Sequence, residues 1–83
     1  MVFVRLTDSA RRDLNGLDTE VARRIIDKLS WLETHFQHII PEKLHHNLRE
    51  YRTLRVGAWR ARYYVSDGMI IVEAVKHRSE AYD

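Results

Sequence analysis

The chain has no cysteine, one proline and three glycines in 83 residues, and each scarcity excludes something. Without cysteine there is no disulfide scaffold, no zinc knuckle and no thiol nucleophile, so an apolar core must hold the fold unaided. Linkers, repeats and low-complexity tracts are missing too, which leaves a single domain over residues 1–83. No apolar run is long enough to span a membrane. Arg5, Asp8 and Arg11 interrupt any signal-like opening segment, so the expected location is cytoplasmic, with no membrane partner. An excess of charge is lacking as well: 14 basic residues face 12 acidic ones, a net +2.

What is present is 45% apolar residues, too many for a disordered chain, and an uneven placement of charge. Arg49, Arg52, Arg55, Arg60 and Arg62 lie within one short stretch opposed only by Glu50, while Asp8, Asp13, Asp18, Glu20, Asp27 and Glu33 come earlier. A local basic focus on a nearly neutral chain suits a small anionic patch better than bulk coating of DNA.

Val2–Leu6 reads as a strand. Thr7 or Asp8 caps a short helix through about Leu14, with Asn15-Gly16 supplying a left-handed residue to end it. Asp18 caps a longer helix in which Val21, Ile25, Leu29, Leu32 and Phe36 form one apolar stripe. After Pro41 the polar stretch 42–49 reads as a loop. Tyr51–Val56, Ala58–Ser66 and Met69–His77 then favour strands, divided by Gly57 and by Asp67-Gly68, a strong hairpin signal. The expected fold is α+β: two N-terminal helices packed on one face of a roughly four-stranded antiparallel sheet.

A two-residue turn at Asp67-Gly68 pairs Val65 with Ile70, Tyr63 with Val72 and Ala61 with Ala74 on the helix-facing side. It pairs Tyr64 with Ile71, Arg62 with Glu73, Arg60 with Val75 and Ala58 with His77 on the other. The turn at Gly57-Ala58 adds Leu54–Ala61 to the first face, and Arg55–Arg60, Thr53–Arg62 and Tyr51–Tyr64 to the second. Arg55, Arg60, Arg62, Tyr51, Tyr64 and His77 thus gather on one open face, cations and aromatic rings suited to phosphates and stackable bases. Strict alternation turns Arg78 toward the helices unless the strand ends near His77.

The run Tyr51–Tyr63, with Leu54-Arg55-Val56-Gly57-Ala58-Trp59-Arg60 at its centre, resembles the RelE/ParE toxin superfamily, whose members carry an LRVGxYR strand pair. The ending Val75-Lys76-His77-Arg78-Ser79-Glu80-Ala81-Tyr82 resembles the family's V-x-H-R-x-x-x-Y. The resemblance covers nearly the whole chain and implies a fold of the microbial ribonuclease type and a toxin of a toxin–antitoxin pair. RelE-like members cut mRNA in the ribosomal A site, so the partners implied are a cognate antitoxin, mRNA and ribosomal RNA. ParE-like members poison DNA gyrase without cutting RNA, which leaves a gyrase inhibitor, or an inactive homologue that binds only its antitoxin, as the alternative.

For the nuclease, attack by the 2′-OH needs a proton acceptor, stabilisation of the phosphorane and a proton for the leaving oxygen. Arg60 and Arg78 match the family's arginines and would stabilise phosphate charge. His77 or Tyr82 would move the proton. Arg52, Arg55, Arg62 and Lys43 would bind RNA. Where one branch of the family has two lysines before the turn, this chain has Tyr51 and Thr53, so Arg52, Lys43 or His77 must substitute. His35, His38, His45 and His46 read as surface residues without a convergent carboxylate set. Trp31 and Trp59 read as packing anchors, and no metal or cofactor is expected.

Overall fold

The computed structural model describes residues 3–39 and 47–80. Strand β1 (Phe3–Leu6) leads through Thr7 into helix α1 (Asp8–Asn15), then α2 (Thr19–Ile39), β2 (Asn47–Val56), β3 (Trp59–Ser66) and β4 (Met69–His77). The Thr7 hydroxyl accepts the Ala10 N–H at 3.1 Å and so caps α1. Gly16 is not left-handed as expected: it sits at φ −83° and its N–H returns to Arg12 and Asp13 carbonyls. Leu17 N–H bonds to Leu14, so the helix ends by tightening into three-residue steps rather than by reversing handedness.

The expected stripe is the buried face of α2. Ile25, Leu29, Leu32 and Phe36 are buried, and they join Ala10 and Leu14 of α1 against Ala61, Tyr63, Val65, Ile70, Val72 and Val75 of the sheet. Both turns behave as read. Asp67 and Gly68 both have positive φ, as a type I′ hairpin demands, and Gly57 has φ 59° at the first turn position. Strand β2 starts at Asn47, earlier than the expected end of the polar loop, because Asn47 and Leu48 pair with Ser66 and Val65 after a register shift in β2.

The strands run in the order β1-β4-β3-β2. The two hairpin pairings are antiparallel, whereas β1 lies parallel to β4, with Val4 opposite Ile70 and Leu6 opposite Val72. The chain from β1 to β4 passes through both helices and a hairpin, which gives the long crossover that parallel pairing needs.

The larger departure from the sequence reading is in β4. From Ser66–Met69 to Tyr63–Val72 the β3–β4 register is the expected one. It then shifts, so Arg62 faces Ala74, Ala61 faces Val75, Arg60 faces Lys76 and Trp59 faces His77. One additional residue at Glu73 makes this a β-bulge, which reverses the facing of every later residue in β4. The larger Val75 thereby replaces Ala74 in the core, and is 2% exposed.

Past the end of β1 the backbone of β4 would lack partners on that side, and α1 supplies them. Thr7 N–H bonds to the Val72 carbonyl at 3.0 Å, and the Thr7 hydroxyl donates to the Glu73 carbonyl at 3.2 Å. The Asp13 carboxylate accepts the Val75 N–H at 2.9 Å and the Lys76 ammonium at 3.1 Å. Replacing Asp13 by Ala leaves the half-buried Val75 N–H without its acceptor. A loss of about 1–3 kcal/mol is expected in urea unfolding, with Asp13→Asn retaining part of it through its amide oxygen.

Candidate nucleic-acid or partner interface

On the sheet face turned away from the helices, the bulge sets three cations abreast: Arg55 on β2, Arg60 on β3 and Lys76 on β4. Like charges directly opposite one another are unfavourable in a sheet, and local contacts offset part of that cost. Lys76 is paired with Asp13. Arg60 Nη1 donates to the carbonyls of Gly57 at 2.9 Å and Trp59 at 3.0 Å, which ties its guanidinium to the β2–β3 turn. Arg55 is exposed.

One row along, Thr53 faces Arg62 and Arg62 faces Ala74. The expected Arg62–Glu73 and Tyr51–Tyr64 backbone pairings do not form, since Glu73 is the bulge residue and Tyr51 lies in the register shift of β2. Their side chains still meet on this face. The Tyr51 hydroxyl donates to Glu73 Oε2 at 2.6 Å, the Arg62 guanidinium lies 4.0 Å from the Tyr51 ring centre, and Tyr64 meets Tyr51 edge-on at 5.5 Å. Arg62 is therefore held over an aromatic ring, a cation–π arrangement that orders it while leaving it half-exposed.

Two of the residues assigned to RNA chemistry, His77 and Arg52, lie off this face. His77 lies opposite Trp59 on the helix-facing phase of the sheet, and the rings meet edge-on at 5.3 Å. Its Nδ1 accepts the Ser79 N–H at 3.2 Å and lies 2.9 Å from the Ser79 hydroxyl, which places the proton of the neutral ring on Nε2. The expected grouping of His77 with Arg60 and Arg62 is thus corrected by the bulge. Arg52 faces Tyr63 and so projects from the opposite side to Arg55. Burial raises the Tyr63 hydroxyl above its ordinary pKa, and the Arg52 charge opposes that rise.

Arg78 follows β4 in an exposed turn, its N–H bonded to the Ala58 carbonyl at 2.7 Å. The strand ends at His77, which removes the requirement that Arg78 continue toward the helices. Arg55, Arg60 and the Arg78 backbone thus meet at the Gly57-Ala58 turn. Lys43 and Tyr82, with His45 and His46, lie outside the described residues. Lys76 and Arg5, the latter opposite Ile71, were not among the expected site residues. Lys76 joins only because of the bulge, and the one sequence signal for it is that Val75 fills a core position better than Ala74. Among the described residues no three His, Asp or Glu side chains converge as a metal site, and no described helix is long and apolar enough to cross a membrane.

A short helix, a long helix and this four-stranded sheet with a cationic outer face define the fold of RelE/ParE-type toxins. The structure resembles the toxin–antitoxin complex RelBE2 of Mycobacterium tuberculosis (TM-score 0.68, 24% identity, covering 92% of this chain and 96% of that one). It also resembles the archaeal RelE–RelB complex of Pyrococcus horikoshii (TM-score 0.65, 23% identity, 96% of each chain) and the RelB–RelE complex of Methanococcus jannaschii (TM-score 0.64, 23% identity, 94% of each). None of the curated proteins matches the sequence significantly. The sequence model of the ParE toxin of type II toxin–antitoxin systems matches residues 4–82. The chain belongs to the ParE toxin family.

The Tyr51 hydroxyl has its pKa raised above 10.0, first by its hydrogen bond to Glu73, then by burial and the Glu73 charge, with Arg62 acting the other way. A raised folded value means that the stabilisation linked to the neutral phenol is present below pH 10 and fades as pH climbs through the folded value. NMR titration of the Tyr51 ring carbon is expected to give a midpoint above 10.0, and Glu73→Ala to bring it back toward that value.

Proposed function

We propose that the chain is a toxin acting by binding, a ParE-like inhibitor of DNA gyrase neutralised by a cognate antitoxin, rather than an enzyme that cuts message. The observation carrying this reading is the separation of the arginines from His77: the outer face has cations and aromatic rings, while the imidazole sits beside Trp59 on the other phase of β3–β4. Of the outer-face residues, Tyr51 is the one with a phenol already committed to Glu73, and its raised pKa opposes its use as a base. Arg55, Arg60 and Arg62 remain suited to hold acidic groups of a protein partner. Membership in the ParE family over residues 4–82 supports the same reading.

A second reading, ribosome-dependent endonuclease with Arg60, Arg78, His77 and Tyr82 as the working set, has one observation in its favour. The backbone bond from Arg78 to Ala58 brings Arg78 to the turn that Arg60 braces. In that reading Arg52, Arg55, Arg62 and Lys43 would bind RNA, and the ribosome would orient the substrate for a thin catalytic set.

Two parallel assays separate the readings: supercoiling by DNA gyrase, and mapping of message cleavage on translating ribosomes. The expected result is gyrase inhibition without cleavage, lost on Arg55→Glu and unaffected by Tyr82→Phe. Cleavage by the wild type that Arg60→Ala and Tyr82→Phe abolish, with gyrase untouched, would establish the nuclease instead.

A further inference from the structure

The three arginines of the outer sheet face are held in different ways. Arg60 has its Nη1 engaged by the Gly57 and Trp59 carbonyls. Arg55 is exposed, a long side chain with much rotamer freedom to lose on association. Arg62 is half-buried, with its guanidinium 4.0 Å from the Tyr51 ring centre. Among the described residues it makes no hydrogen bond or ion pair. Its planar fork of N–H donors is therefore both fixed in place and available.

What fixes it is a ring that would otherwise be loose. Tyr51 is 46% exposed, and a side chain so open to solvent normally samples several rotamers. Here its hydroxyl donates to Glu73 Oε2 at 2.6 Å, and Tyr64 meets the ring edge-on at 5.5 Å. Tyr51 lies on β2 and Glu73 on β4, so their bond spans β3, the strand that carries Arg62. Glu73 is the bulge residue of β4. The extra residue that shifts the phase of the strand thus also supplies the carboxylate that steadies the ring beside Arg62.

We propose that Tyr51 and Glu73 are positioning residues for Arg62, holding its guanidinium as the receptor on this face for a single carboxylate of a protein partner. The inference rests on the binding role proposed above and names the residue that carries it. A cation ordered before association loses little conformational freedom when it pairs, so Arg62 contributes more than the exposed Arg55. A bidentate carboxylate matches the fork. Two observations favour it over a run of phosphates. Glu73 sits at the hydroxyl end of the same ring, where its charge repels a polyanion. The Tyr51 ring is already engaged by Arg62 and Tyr64 and offers less to a stacking base.

The test is an NMR titration of the full chain with a hexaglutamate peptide at low ionic strength, following the arginine Nε–H signals. The Arg62 signal is expected to respond most, and Arg62→Gln to weaken binding roughly tenfold, more than Arg55→Gln does. In the free protein the Tyr51 ring current should displace the Arg62 side-chain signals. Tyr51→Phe should keep that displacement, whereas Tyr51→Leu should abolish it and weaken binding roughly two- to fivefold. Glu73→Gln removes the charge but keeps an acceptor for the Tyr51 hydroxyl, and Glu73→Ala removes both. Positioning therefore requires Glu73→Ala to bind the peptide more weakly than Glu73→Gln. Equal binding by those two variants, equal losses from Arg55→Gln and Arg62→Gln, or no binding by the wild type would overturn the proposal. So would tighter binding of hexathymidylate with the same Arg62 response, which would assign the receptor to phosphates. Gyrase does not enter this measurement: the expected peptide results with gyrase untouched would sustain the positioning and refute only the gyrase reading.

Discussion

One extra residue in β4, held in place by α1, governs the arrangement of everything around the sheet. The bulge at Glu73 is stabilised from the side: Thr7 engages the Val72 and Glu73 carbonyls, and Asp13 takes the Val75 N–H. These contacts exist because β1 stops at Leu6 and leaves the β4 backbone open where α1 passes. The same Thr7 that caps α1 pins the bulge, so helix start and strand phase are set by one hydroxyl.

Beyond that point the two faces of the sheet exchange residues. Val75 enters the core and Lys76 moves beside Arg60, while His77 comes against Trp59. The cationic face that results is neutralised at one position and braced at others: Asp13 pairs with Lys76, turn carbonyls hold Arg60, and the Tyr51 ring lies under Arg62. Among the described residues no imidazole adjoins this basic face, the arrangement on which the proposed binding role rests.

Much of the fold was legible because the patterns were local. The Val21 to Phe36 stripe, the Thr7 cap and the Asp67-Gly68 hairpin each follow from short-range geometry, and the structure has all three. The Arg55–Arg60 pairing followed from the Gly57 turn for the same reason. Three features were out of reach. The bulge depends on Thr7 and Asp13, more than sixty residues away in the chain, and no alternation count contains that contact. The parallel β1–β4 pairing is likewise a tertiary choice. Gly16 fits a left-handed stop equally well, but Leu17 returning to Leu14 made that conformation unnecessary. The candidate site is therefore legible in the sequence on β2 and β3 but not on the far half of β4, where the bulge exchanges the facing of His77 and Lys76.

The make-up of both sheet faces depends on that phase, and nuclear Overhauser effects across β3 and β4 test it directly. Cross-peaks between the Trp59 indole and the His77 imidazole, with Ala61 contacting Val75, are the predicted result. Contacts of His77 with Ala58 and of Ala61 with Ala74 would mean an unbroken ladder that returns His77 to the arginine face, and would contradict it.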